Sequence, residues 1–206
     1  MRLRRKVLLI IAGAVAVLLA FASYAEQQVR ATAAERSKPL PGDNLIPNPI
    51  GAVNHAITIH RAPHDVWPWL AQMGSSRAGW YSYDFIDNGG RRSAERIVPE
   101  FQNVTVGSVF PALPGAKDVF VVVQFEPERS LVLSWRLPDG RYQTTWAFVL
   151  EQPQPDQTRL ISSCSANNFW ASAAARRRRL MVASSLFSDK QRHYCEQHEH
   201  QVIDRP

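Results

Sequence analysis

Residues 118–150 read DVFVVVQFEPERSLVLSWRLPDGRYQTTWAFVL, and the architecture turns on that run. Its first ten residues are nearly all apolar. LVLSWRL then alternates, with Leu131, Leu133, Trp135 and Leu137 on one side. Tyr142, Thr144, Trp146, Phe148 and Leu150 alternate in the same way. A period of two marks half-buried strands. Between them Pro138-Asp139-Gly140 is a turn: Pro presets one dihedral and Gly supplies the positive one. Strands joined by such short turns pair antiparallel. VGSVF before the run and Gln157 to Cys164 after it extend the same sheet.

Working outward, AVNHAITIH has β-branched residues at strand spacing, so the folded domain is expected to begin near Ala52. APHDVWPWLAQMG follows. Pro63 suits a first helical turn, Val66, Trp69, Leu70 and Met73 form an apolar stripe, and Gly74 stops it. Pro68 removes one backbone bond and predicts some distortion. On the C-terminal side no Gly or Pro occurs between Phe169 and Pro206, and Ala and Arg dominate, which predicts a long helix. The sum is an α+β plan with helices on one face of an antiparallel sheet. A sheet curved round the terminal helix would leave a cavity for a small molecule.

The N-terminus is different in kind. Arg2, Arg4, Arg5 and Lys6 precede an apolar run from Val7 to Ala22. Residues 1–25 are read as a membrane anchor or a cleaved signal peptide. The anchor reading places a single pass over residues 7–25, with the N-terminus cytoplasmic and the domain outside. The signal reading makes the domain secreted. Residues 26–51 are a Pro-rich tether, with Pro39, Pro41, Pro47 and Pro49 favouring an extended path. Residues 52–206 form the remaining domain, long enough for one core. The formal net charge is +6, and the four N-terminal cations leave +2 for the rest. So small a balance gives little reason to propose nucleic acid, and none is expected as a partner. Cys164 and Cys195 are expected to be unbridged, because a long helix between them would hold them too far apart.

RAGWYSYDFIDN, residues 77–88, gathers four rings and two acids behind a Gly. Together with ITIHRAPHDVWPWLAQMG and RIVPEFQNVTVG it resembles the SRPBCC superfamily, the START-like or Bet v 1-like proteins, of the sort called polyketide cyclase/dehydrase-like. The likeness spans about residues 43–187. It implies a helix-grip fold, a curved antiparallel sheet wrapped around a long C-terminal helix. It implies also a deep apolar cavity that binds lipids, sterols, polyketides or other hydrophobic molecules, with cyclisation or dehydration in a minority of members. No catalytic residues carry over. The loop after Asn88 is short for that family.

The residues suggest the same use. Trp80, Tyr81, Tyr83 and Asp84 are candidates to wall and orient a ligand, because aromatic rings give rigid apolar area with polar tips. The alternative is that Trp80, Tyr81 and Phe85 fill core and Asp84 caps the next helix. Trp135 and Trp146 are candidates on alternating strands. Arg177 falls on the apolar face of the predicted helix, where it would grip a ligand anion or pair with Asp84 or Asp87. The run Arg176 to Arg179 covers the helix circumference and reads as a solvated surface. His193, Cys195, His198 and His200 lack metal-site spacing, so no metal is expected. No cofactor is implied, and no nucleophile or phosphate-loop motif is present. His55, His60 and His64 read as surface or loop positions, with a general-base role open to any that faced the cavity.

The function expected is a membrane-tethered START-like domain binding a small hydrophobic molecule (lipid, isoprenoid or polyketide-like). A cyclase or dehydratase using an acid/base residue in that cavity is the alternative, and a non-catalytic envelope protein with a filled core is a third. Whether it is an enzyme is left open.

Overall fold

The computed structural model describes residues 31–167 except 83, 116–118 and 137–138, together with residues 13 and 15–17. Six strands are present: β1 (Gly51–Ile59), β2 (Val109–Pro111), β3 (Val119–Glu126), β4 (Ser130–Arg136), β5 (Tyr142–Gln154) and β6 (Gln157–Ala166). They form one antiparallel sheet in the order β1-β6-β5-β4-β3-β2. The hairpins from β3 to β6 are those the sequence predicts. The closing step is non-local: the first strand pairs with the last, from Gly51 opposite Ala166 to Ile59 opposite Thr158.

Register shifts at Val122/Gln124, Trp135/Arg136 and Glu151/Gln154 interrupt the ladders. An extra residue on one strand bends it and raises its twist, and the sheet is curved. Among described residues 31–167 three short α-helices accompany it: α1 (Ala33–Ser37), α2 (Pro63–Ala71) and α3 (Asp84–Asp87). This is an α+β fold and supplies the sheet half of a helix-grip arrangement. The long C-terminal helix predicted from Phe169 onward lies outside the described residues, as do Arg177, Cys195 and the histidines after it.

One face of the sheet carries the main core. Rows of opposed residues run across it: Ile57, Leu160 and Leu150; then His55, Ser162, Phe148 and Leu131; then Val53, Cys164, Trp146 and Leu133; then Trp135 and Thr144. α2 buries Val66, Trp67, Trp69, Leu70 and Ala71 in this core. Its Pro63 opens the first turn, and Pro68 sits within it, as the sequence indicates. The helix ends at Ala71, with Gln72 as the cap residue and Gly74 beyond it at φ +124°.

The outer face is covered by residues 31–50. Ala31 and Leu40 pack with Ala56 and Ile161, and Ile46 is buried too. α1 starts at a capping box, in which Thr32 Oγ1 accepts from Glu35 N–H and Glu35 accepts from Thr32 N–H. Glu35 also takes two hydrogen bonds from Arg159 of β6, at 2.6 and 3.0 Å. Those bonds, backed by the Thr32 amide, hold its carboxyl down at about 2 against an ordinary 4.5. Lys38 pairs with Glu151. Gly42 turns at φ +92°, and a Cβ there would stand 2.8 Å from Val132 Cγ1. The segment read as a Pro-rich tether is therefore laid along the sheet from residue 31.

The single-pass membrane helix expected over residues 7–25 is corrected. Among the described residues no helix is long and apolar enough to cross a membrane. Of that span only residues 13 and 15–17 are described, and the rest lies outside the described residues.

Candidate functional site

Exposure grades along the inner face. Ile57, Leu160, Leu150, Phe148 and Leu131 are buried at the end that α2 covers. Towards the other end Val53, His55, Cys164 and Trp135 are only half-buried. Between the two lies a cluster of rings, which forms the wall of the candidate site.

Trp80 and Trp146 are stacked, with centroids 5.6 Å apart and planes 21° from parallel. Phe120 meets both edge-on, at 5.9 and 5.8 Å, and Phe148 tilts against Trp146 at 4.7 Å. Stacked and edge-to-face pairs are the favoured arrangements of aromatic quadrupoles. Both indoles are tied down as well. Trp80 Nε1 donates to the Ala112 carbonyl at 3.1 Å, and Trp146 Nε1 donates to Ser162 Oγ at 2.9 Å. Each ring is anchored at both its face and its N–H, and both indoles are buried in the main core cluster, 5% and 6% exposed.

The loop that delivers Trp80 is built on two glycines. Gly74 and Gly79 exchange backbone hydrogen bonds of 3.1 and 3.0 Å, closing a tight bend directly after α2. Gly79 has φ +93°, and a Cβ there would stand 2.4 Å from Ser93 Oγ and 2.9 Å from Ser93 Cα. Only glycine meets both conditions. Arg77 braces the bend from within. Its guanidinium donates to the carbonyls of Met73, Ala71 and Phe101 and lies between the rings of Phe101 and Phe110, at 4.7 and 4.5 Å. Burial lowers its pKa from the ordinary arginine value.

Tyr81 and Asp84 are occupied by the protein. Tyr81 is buried at φ +56°, its hydroxyl accepts from Gln72 Nε2, and its ring meets Trp69 edge-on at 5.6 Å. Gln72, fully buried, also donates to the Arg96 carbonyl and accepts from Val98 N–H. Asp84 Oδ1 accepts from Ser93 N–H, Ser93 Oγ–H and Asn88 Nδ2–H at 3.1, 2.6 and 2.9 Å. It staples the 84–93 loop across its base rather than capping α3 alone. Phe85 points outward, 86% exposed. Tyr83 and Arg177 lie outside the described residues.

Sequence reasoning missed three polar groups on the inner face. His55, read as a surface or loop position, sits in β1 opposite Ser162, with its Nε2 atom buried. Cys164 stands opposite both Val53 and Trp146. The signal was available: His55 shares parity with Ile57 and Ile59, and Ser162 and Cys164 share it with Leu160. His60 and His64 are exposed, as read. Among the described residues no group of three or more His, Cys, Asp or Glu could hold a metal ion.

No protein-family model matches the chain, and no curated protein matches it. Solved structures do resemble it. The protein MLL2253 from Mesorhizobium loti is 19% identical with a TM-score of 0.47, over 71% of this chain and 98% of that one. The protein NE0264 from Nitrosomonas europaea is 10% identical with a TM-score of 0.49, over 79% of this chain and 100% of that one. CalU16 from Micromonospora echinospora is 13% identical with a TM-score of 0.40, over 71% and 84% respectively. Likeness at this level identifies no family, so the site is read from its own residues.

Proposed function

We propose that the protein binds a small hydrophobic molecule against the inner face of its sheet, at the half-buried end walled by Trp80, Trp135 and Trp146. The observation that carries this reading is the stacked Trp80–Trp146 pair held by its own hydrogen bonds beside half-buried Trp135, Val53 and Cys164. Trp135 lies part-exposed against the packed cluster, as a residue walling a ligand would. Removing apolar area from water at such a wall gains roughly 25 cal/mol per Å². The chain beyond residue 167, which continues from the end of β6 at Ala166, is proposed to supply the other wall. Arg177 and Tyr83 are proposed to line the remaining boundary.

Binding rather than catalysis is favoured because Asp84 and Tyr81, the acid/base candidates of the aromatic stretch, are spent on the loop and on Gln72. The test is native mass spectrometry of the full chain prepared without detergent, followed by organic extraction. A stoichiometric apolar compound released on denaturation supports the reading. A chain of bare mass that also fails to bind added 2-methylnaphthalene rejects it.

A further inference from the structure

We infer that the loop tips carrying Phe85 and Leu113 form a docking surface for an anionic phospholipid bilayer. The contact is peripheral: it rests in the interface and involves no spanning helix. It stands apart from the ligand reading above, and either can fail without the other.

Two loops build the surface. α3 presents Phe85, 86% exposed, and Ile86, 46% exposed. The loop after β2 presents Leu113 and Pro114, both exposed. These loops are neighbours. A Cβ on Gly89 would stand 3.2 Å from Pro114 Cγ, and Trp80 Nε1 donates to the Ala112 carbonyl at 3.1 Å. Single exposed apolar residues are ordinary, whereas apolar side chains gathered on adjoining loops mark an interaction surface.

Phe85 is not outside because its loop is loose. Asp84 Oδ1 accepts from Ser93 and Asn88, Gly90 N–H donates to the Asp84 carbonyl at 2.9 Å, and Asn88 is buried. Ser82 donates to Asp87. These bonds draw the polar groups of the turn inward and hold the ring outside on a fixed backbone.

Charge and shape select the occupant. The acids Asp84 and Asp87 face protein donors, and Glu95 is taken by Arg92 at 2.9 Å. Arg91 follows directly, its N–H donating to the Asn88 carbonyl at 3.2 Å; its side chain is exposed and, among the described residues, in no ion pair. A cation thus borders the apolar tips without a counter-ion, and lipid phosphates supply one. A ring this exposed protrudes. A folded partner must offer a matching pocket to cover it, whereas a fluid interface closes round it and lets the arginine reach the headgroups.

The experiment is hydrogen–deuterium exchange of the full chain, alone and with vesicles of phosphatidylcholine and phosphatidylglycerol in equal parts, read by peptide mass spectrometry. A local readout is needed because the apolar run from Val7 to Ala22 could bind vesicles on its own. We expect exchange to slow across residues 84–92 and 112–115 on the anionic vesicles and not on phosphatidylcholine alone. Phe85→Ser should lose that protection and Arg91→Gln should weaken it. Vesicle-bound chain with unchanged exchange in both loops overturns the inference, as does chain that stays off the vesicles or equal protection on phosphatidylcholine alone. Protection that appears without vesicles and grows with protein concentration assigns the tips to a second copy and overturns it too. Should a variant fail to fold, the lipid dependence of the unsubstituted chain still decides.

Discussion

Trp80 stacks on Trp146 at 5.6 Å although 66 positions separate them in the chain, one ring arriving on a loop and the other on the central strand β5. Two transition dipoles held so close couple, so the near-ultraviolet circular dichroism should carry a split signal. Trp146→Phe and Trp80→Phe should each abolish it. Trp80→Ala should cost about 3–5 kcal/mol in denaturant unfolding, the usual range for truncating a buried Trp. Two single-site spectra that each keep the split would contradict the pairing.

Gly79 is the backbone condition for that pairing. Gly79→Ala forces a side chain into φ +93° and against Ser93. Strain and overpacking together should cost roughly 2–4 kcal/mol. Adding Ser93→Gly removes both Ser93 Oγ and its Cβ and should recover part of the loss. Chemical denaturation of the two variants measures it.

Arg77 should resist conservative exchange. Arg77→Lys keeps the charge but cannot reach the Met73, Ala71 and Phe101 carbonyls together or lie flat between Phe101 and Phe110. We expect a loss of about 2–3 kcal/mol, reflecting unpaired carbonyls. Thermal unfolding at neutral pH reads it, and a Tm equal to that of the parent would contradict this role.

The Glu35–Arg159 pair makes stability depend on acid. The folded carboxyl is depressed to about 2 from 4.5. The group therefore stabilises fully above the unfolded value and loses that contribution as pH falls from about 4.5 towards 2. Glu35→Gln should lower stability at pH 7 and flatten the acid limb of the stability curve. Urea midpoints of parent and variant between pH 7 and pH 2 should converge at the acid end. Parallel curves would show that the pair does not titrate with folding.

Much of this was legible in the chain. Alternation gave strands from β3 to β6, and the Pro63 start and Trp69/Leu70 stripe gave α2. Two features were not. The pairing of β1 with β6 joins residues more than 90 positions apart, and no local period reports partner choice. The packing of residues 31–50 on the sheet depends on Leu40, Ile46 and an ion pair reaching from Glu35 to Arg159, none of which differs from tether composition when read alone. The ring cluster was read half-way. Trp80 and Trp146 were named, yet as separate candidates. Tyr81 and Asp84 were read as ligand-orienting because a sequence shows polar tips without the Gln72 and Ser93 partners that engage them. His55 was read as surface although its parity with Ile57 and Ile59 points inward.

The binding site itself is tested most directly by the indole N–H signals of the nitrogen-15-labelled full chain titrated with 2-methylnaphthalene. Trp135, Trp146 and Trp80 should shift together with one dissociation constant, while Trp67 and Trp69, buried side chains of α2, should stay in place. Unmoved signals from Trp135 and Trp146 at saturation, or shifts confined to Trp67 and Trp69, would contradict a hydrophobic ligand at the half-buried end of the sheet.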